Sequence, residues 1–248
     1  MAKKIGINRS EKRANMNKGT FTGVGLGPGD PELITLKGFR ALQAADIIFY
    51  PVSAESEGQY HSFSANILDQ LQVYKPCEPL LFPMKGKGTQ KFYDEAFLRI
   101  KQEYENGKNV VLVSEGDLFF YSTFGYIFKL AKEAKIPCRL IPGIPAFIAA
   151  SALGNQPLAE KTTGLEVIAK PESFDAVSKA LKHQSTIVIM KMSVLKGWHS
   201  FLKTTGRPFL YTERVGTGNE FFTDNAEELE FRKIPYFALL IIYPENAN

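Results

Sequence analysis

The chain predicts an α/β protein of two domains, on three observations. Short apolar runs alternate with stretches of helical periodicity along its length, the pattern of largely parallel sheets flanked by helices. Four of those runs end in loops rich in Gly, Pro or acidic residues. The length of 248 residues, with 44% apolar and 23% charged residues, suits one large or two modest domains with a full core.

The first apolar run spans residues 20–26, and a helix is expected over 32–45, where Leu33, Leu36, Phe39 and Leu42 fall near helical spacing. Residues 46–50 read as a short strand ended by Pro51. A helix over 64–71 and a strand over 79–82 follow. Residues 89–105 form an amphipathic pattern with Phe92, Ala96 and Ile100 on one face, stopped by Asn106-Gly107. Strands are expected at 110–113 and 138–141, with a helix over 122–135 between them. Beyond Ile144 comes an Ala-rich helix at 147–153. Strands then fall at 165–169, 186–190, 208–212 and 237–243, with helices at 173–181 and 194–203. A domain boundary is placed near Pro142-Gly143, giving domains of 19–143 and 144–248 behind a basic tail of residues 1–18.

The charge is concentrated in that tail. Lys3, Lys4, Arg9, Lys12, Arg13 and Lys18 face Glu11 alone, a net +5, so the chain's +4 leaves the remainder at −1. The tail has no periodicity and is expected to be disordered. A near-neutral body argues against nucleic acid as partner. No apolar run reaches the ~18 residues that cross a membrane, and no apolar segment marks a secretory leader. Cys77 and Cys138 are too few for a disulfide framework or a Cys-x-x-Cys metal site, so a reducing, cytoplasmic protein is expected.

Ligands of open α/β sheets bind beyond the carboxyl ends of strands, so the four loops are candidate walls of one cleft. The first is Gly23-Val24-Gly25-Leu26-Gly27-Pro28-Gly29-Asp30. It fails the dinucleotide spacing, because the third glycine position falls on Pro28 or on Asp30. A tight turn with Asp30 capping the next helix is the plainer reading. The second, Ser114-Glu115-Gly116-Asp117, places two acids at a strand end, able to accept hydrogen bonds or to favour a cation. A helix cap from Asp117 or Ser122 competes with that reading. In the third, Pro142-Gly143-Ile144-Pro145-Ala146, small side chains admit a flat ring, although a rigid turn would look the same. The fourth is Glu213-Arg214-Val215-Gly216-Thr217-Gly218, unremarkable alone.

Together and in this order the loops resemble the tetrapyrrole methylases, enzymes that transfer methyl groups from S-adenosylmethionine (SAM). The first loop with Leu33-Ile34-Thr35-Leu36 and Ala45-Asp46, then Glu115-Gly116-Asp117, Pro142-Gly143-Ile144 and Glu213-Arg214, carry the resemblance over residues 19–243. Within the family, Ile48-Phe49-Tyr50-Pro51-Val52-Ser53, Phe82-Pro83-Met84 and Met190-Lys191 are most similar to the branch that methylates carbon 20 of precorrin-2 or its cobalt complex.

The resemblance implies two α/β domains with a cofactor cleft between them, a homodimer, SAM as cofactor and S-adenosylhomocysteine as its product. Carried over by position, SAM would contact Pro28, Glu115, Gly116, Asp117, Phe120, Pro145, Ala146, Lys191, Val215 and Gly216, with adenine near Ala238 and Leu239. Leu118 stands where the family commonly has Pro, and Pro145 where it has Ser or Thr. The second change removes a hydroxyl, and Pro145 has no N–H to donate.

Methyl transfer demands alignment and exclusion of water more than an activated protein nucleophile. A base would help remove the displaced proton, and Tyr50, Glu115, Tyr121 and Glu213 are the candidates, though each is better explained as a binding or structural group. His61, His183 and His199 show no metal-ligand spacing, and no metal is expected. A tetrapyrrole bearing carboxylates would meet Lys85, Lys87 and Lys91, a basic lip in a Gly-rich stretch, although a solvated loop explains these lysines as well. Competing readings are a methylase acting on another tetrapyrrole position or on uroporphyrinogen, a methylase of ribosomal RNA or of a modified histidine, a binding homologue without activity, and a phosphate-binding nucleotide protein.

Overall fold

The computed structural model describes residues 18–54, 60–82 and 89–245. These fall into two compact units. One holds the residues up to Gly27 together with Pro31–Ile144. The other holds Pro28–Asp30 and the residues from Pro145 onward.

The first unit is built on parallel strands β1 (Thr20–Gly25), β2 (Ile47–Ala54), β4 (Cys77–Leu81), β5 (Asn109–Ser114) and β6 (Cys138–Ile141), in spatial order β4-β2-β5-β1-β6. A two-residue β3 (Tyr60–His61) pairs antiparallel with the end of β2. Strand β5 lies at the centre, and every residue after Asn109 is buried. That explains an apolar run without alternation, since both faces of a parallel sheet are covered.

The two faces divide the apolar residues by parity. Val110 and Leu112, with Phe21, Ile47 and Phe49, pack against Ala96, Phe97, Ile100 and Tyr104 of α3 (Thr89–Glu105) and Phe124, Ile127 and Ala131 of α4 (Phe124–Glu133). Val111 and Val113, with Val24 and Ile48, pack against Leu42 of α1 (Leu36–Gln43) and Ile67 and Leu68 of α2 (Phe63–Gln70). The register Phe21↔Val110 and Val24↔Val113 keeps each set on its own side.

Several element ends differ from expectation. The helix expected from residue 32 begins at Leu36, after a 3-10 turn at Pro31–Leu33. Its cap is Thr35, whose Oγ1 accepts from the Gly38 N–H at 3.0 Å, and not Asp30. Strand β2 continues through Pro51, because its pairing with β5 stops at Phe49 and proline is tolerated on a strand edge. Helix α4 starts at Phe124, whose N–H donates to Ser122 Oγ at 3.1 Å.

The second unit carries β7 (Gly164–Ile168), β8 (Ser185–Met190), β9 (Phe209–Glu213), β10 (Phe221–Thr223) and β11 (Ala238–Ile242), in order β10-β9-β11-β8-β7. Only β7 and β8 run parallel. Strand β11 is antiparallel to both β8 and β9, and β10 is antiparallel to β9. The expectation of largely parallel sheets is therefore wrong for this unit. Its core joins Val177 and Ala180 of α6 (Phe174–Ala180) and Trp198 and Leu202 of α7 (Trp198–Thr205) to Ile187, Ile189, Tyr211, Leu240 and Ile242. Helix α7 starts four residues later than expected, behind Gly197 at φ +98°. Ala-rich α5 (Ala146–Leu153) precedes β7.

Candidate functional site

In the first unit, the loops at the carboxyl ends of β1 and β5 are joined by backbone hydrogen bonds, and the loop after β6 packs closely against both. The Leu26 N–H donates to Ser114 O at 2.9 Å, and Gly27 and Gly116 exchange hydrogen bonds of 3.2 and 2.8 Å. A Cβ on Gly143 would stand 2.0 Å from Gly116 O, and one on Gly25 would stand 2.5 Å from Gly143 N. Gly116 also sits at φ +61°, in the left-handed region that side chains disfavour. The glycines of three of the predicted loops are thus required by close backbone approach.

The two acids of the second loop have different surroundings. Asp117 fastens this loop to the third: its Oδ2 accepts from the Gly143 N–H at 3.1 Å and its Oδ1 from the Phe119 N–H at 2.9 Å. Each oxygen keeps a second lone pair for a ligand. Glu115 accepts the Ser64 hydroxyl at 2.6 Å. Burial pushes its carboxyl above the usual range, and the Ser64 hydrogen bond offsets only part of that. Phe120 is half-buried and meets Tyr121 edge-on, with ring centroids 5.0 Å apart. Tyr121 is exposed with φ +54°, and Leu118 is buried in the core. Tyr50 lines a pocket of about 210 Å³ with Ala65, Leu68, Asp69 and Cys77, none of them in the four loops.

In the second unit, the tail of the first loop meets the fourth. A Cβ on Gly216 would lie 2.6 Å from Asp30 N. The Gly216 N–H already donates to Glu220 Oε2 at 2.6 Å, and Val215 is buried. Ala238 and Leu239 are buried in β11, opposite Glu213 and Thr212. Lys191 follows β8 at φ +52°, capping a 3-10 turn at Met192–Val194. Pro145 and Ala146 are half-buried at the start of α5, and Pro145 supplies no side-chain cap.

Glu213 is a different kind of residue from the free base the sequence allowed. It is 2% exposed, and Arg232 grips both its oxygens, Nε at 2.5 Å and Nη2 at 3.1 Å. The Tyr211 hydroxyl donates to it at 2.7 Å, and Arg214 approaches to 3.5 Å. Burial by itself would raise the carboxyl, but the Arg232 and Tyr211 hydrogen bonds outweigh it and hold it below the usual range. An ionised, fully engaged carboxylate is a poor proton acceptor. Glu213 is therefore a structural ion pair, and Arg232, which also covers the Phe221 ring at 3.4 Å, is the partner the sequence reading missed.

Lys91 is exposed in the first turn of α3, with Glu95 at 3.6 Å, while Lys85 and Lys87 lie outside the described residues, as do Pro83 and Met84. His183 is exposed, and nothing is described of the His61 side chain. Sequence spacing also hid a cluster on the second unit. His199 Nε2 lies 3.1 Å from Glu227, whose other oxygen holds Lys203 at 2.7 Å, and ligand atoms of His199, Glu227 and Glu230 lie within 4.8 Å of one another. The residues come from α7 and a 3-10 turn at Ala226–Leu229, too far apart in sequence to register as a motif. A lysine already bound to one of the carboxylates makes this a surface ion-pair network.

Each unit is α/β, and the glycine loops follow the carboxyl ends of strands within each. A sequence model of the Tetrapyrrole (Corrin/Porphyrin) Methylases matches residues 20–230, and the chain belongs to that family. It is 37% identical over 182 residues to the "Probable cobalt-precorrin-2 C(20)-methyltransferase" of Methanocaldococcus jannaschii, covering 73% of this chain and 76% of that one. Identity to the "Precorrin-2 C(20)-methyltransferase" of Sinorhizobium sp. is 30% over 240 residues, 90% of this chain and 95% of the relative. With the "Cobalamin biosynthesis protein CobIJ" of Mycobacterium tuberculosis it is 28% over 241 residues, 91% of this chain but only 46% of the relative, so the chain spans about half the length of that protein. In fold it is similar to a crystallised cobalt precorrin-4 methyltransferase, with TM-score 0.68, 23% identity, and 90% and 94% of the two chains covered. A uroporphyrin-III C-methyltransferase from Thermus thermophilus, solved with S-adenosyl homocysteine, gives TM-score 0.64 at 20% identity, covering 91% and 97%.

Proposed function

We propose that this chain is a SAM-dependent C-methyltransferase acting on carbon 20 of precorrin-2 or of its cobalt complex. The observation that carries the reading is the near end-to-end match, 90% of this chain on 95% of the relative, to a protein named for that reaction. SAM supplies an electrophilic methyl on a sulfonium. Carbon 20 of the ring forms the new C–C bond, the methyl–sulfur bond breaks with its electron pair staying on sulfur, and the ring loses a proton.

The chain's residues then serve position and environment. Glu115 and Asp117 offer carboxylate oxygens at the strand end, with backbone around them that glycine alone allows. Pro28, Gly116, Phe120, Pro145, Ala146, Lys191, Val215, Gly216, Ala238 and Leu239 are assigned to the cofactor by their places in the family motifs. The Gly216 N–H would have to leave Glu220 to serve it. Glu115, its carboxyl pushed up by burial, is better suited than Glu213, held down by Arg232 and Tyr211, to accept a proton. Lys85, Lys87 and Lys91 are assigned to the substrate's carboxylates, and a cytoplasmic homodimer is the expected form.

A second reading rests on the relatives named siroheme synthase, for instance the one from Photorhabdus laumondii, 28% identical over 70% of this chain. It would place the methyl elsewhere on a uroporphyrin-type ring. Incubation with SAM and precorrin-2, with and without cobalt, and in parallel with uroporphyrinogen III, separates the readings. A single added methyl at carbon 20 supports the first. Product from uroporphyrinogen alone supports the second, and no product from any ring sinks both.

A further inference from the structure

The first unit carries an aromatic stack that starts in its core and ends at the surface. It begins on buried Phe82, just beyond β4, whose ring stacks on Tyr93 of α3 at 5.5 Å and 30°. Tyr93 stacks in turn on Tyr126 of α4 at 4.5 Å and 14°. The stack stops there, with Tyr126 55% exposed. On the loop after β5, Phe119 is 54% exposed and held edge-on by Phe124 and Phe128 at 5.8 and 5.2 Å, and Tyr121 is 55% exposed. Large aromatics left exposed are candidate contact sites.

Topology says what kind of site. Phe82 follows β4, residues 119–121 follow β5, and Tyr93 and Tyr126 stand in the opening turns of the helices those loops enter. All five lie at the carboxyl edge of the parallel sheet, where ligands of such sheets bind. Phe119 and Tyr121 are continuous with the Glu115–Asp117 loop. The charge nearby is mixed. Lys129 shares the Tyr126 face of α4 at i+3 spacing, while Lys91, two residues before Tyr93 and paired with Glu95 at 3.6 Å, lies off the Tyr93 face. A flat π-system stacked on Tyr126, bearing an anionic group within reach of the Lys129 ammonium, fits this surface.

We propose that Tyr126, the exposed end of the Phe82–Tyr93–Tyr126 stack, is the platform on which a carboxylated tetrapyrrole lays its macrocycle. This rests on the tetrapyrrole reading above and adds the surface that receives the ring. Pre-stacked rings lose little freedom when the ligand arrives.

The test uses the full chain and uroporphyrin, a planar carboxylated tetrapyrrole, with Kd read from the shift of its Soret band. Tyr126→Leu is expected to weaken binding about 3–10-fold, the worth of one aromatic stack. Tyr126→Phe keeps wild-type affinity. Phe231→Leu, at a 93% exposed aromatic of the second unit, leaves it unchanged. SAM affinity by calorimetry stays constant throughout, and melting curves check folding. Wild-type affinity in Tyr126→Leu overturns the platform while leaving the substrate class intact. Wild-type protein that binds SAM but no uroporphyrin and methylates no precorrin overturns the tetrapyrrole reading and the platform with it.

Discussion

Arg232→Ala would leave Glu213 buried with its main counter-charge gone. Breaking a buried ion pair by removing one partner costs about 3–5 kcal/mol, because the remaining charge keeps its desolvation penalty. Two features reduce that here: the Arg232 side chain is 31% exposed, and Arg214 remains 3.5 Å from a Glu213 oxygen. The lost contact with Phe221 adds back about 0.5–1 kcal/mol. The expected loss is therefore about 2–4 kcal/mol, or a fall of roughly 10–20 °C in the melting point of a unit this size.

Trp198 is the chain's single tryptophan and lies in the second unit's core, so its fluorescence reports this transition directly. The pH dependence has a definite sign. Glu213 titrates below its ordinary value of 4.5 in the folded protein, so its contribution is present above about that pH and is lost as pH falls through the folded value. The gap between wild type and Arg232→Ala should be full at neutral pH and shrink in acid. Because a buried pair can often be replaced by apolar groups of similar volume, Glu213→Gln with Arg232→Met should recover much of the loss. A loss below about 1 kcal/mol at neutral pH, set against the cost quoted for such pairs, would refute the reasoning. So would a gap that does not change with pH.

Gly143→Ala places a methyl 2.0 Å from Gly116 O, a contact with backbone that no side-chain rotation relieves. It should destabilise by more than about 3 kcal/mol and speed exchange of the Leu26 and Gly116 amides; an unchanged melting point would show that the loops are not interlocked. Glu115→Gln should stabilise the protein above the folded titration point of Glu115. Its pKa is raised, so the wild type's relative stability is present below about pH 4.5 and is lost as pH rises, whereas glutamine does not titrate. A melting-point difference that grows with pH is the expected signature, and equal curves at all pH values would mean the carboxyl is not buried. Cys138, its thiol pushed up to about 11 by burial, should alkylate more slowly than exposed Cys77 under mild alkali, as peptide mapping after iodoacetamide treatment would show; the reverse order contradicts the burial assigned to Cys138.

Features that depend on neighbours in sequence were legible from it. The runs at Val110–Val113 and Ile187–Ile189 announce central strands because burial on both faces leaves no polar position to disguise them. The loops around Gly25, Gly116 and Gly143 stood out by composition, although composition alone left a capped turn as good a reading as a ligand wall. Even the family was readable, because its motifs are local and ordered.

What required the tertiary structure is whatever joins residues distant in sequence. Strand direction in the second sheet was misjudged because β11 is as apolar as a parallel strand, and period-two patterning carries no record of which neighbour a strand will choose. Glu213 stood open as base, binding or structural group until Arg232, nineteen positions along, closed on it. Phe82, Tyr93 and Tyr126 become a stack only when α3 and α4 lie side by side on one face of the sheet. Hydrophobic periodicity records that a side chain is buried, while direction, charge pairing and ring stacking are decided by what it is buried against.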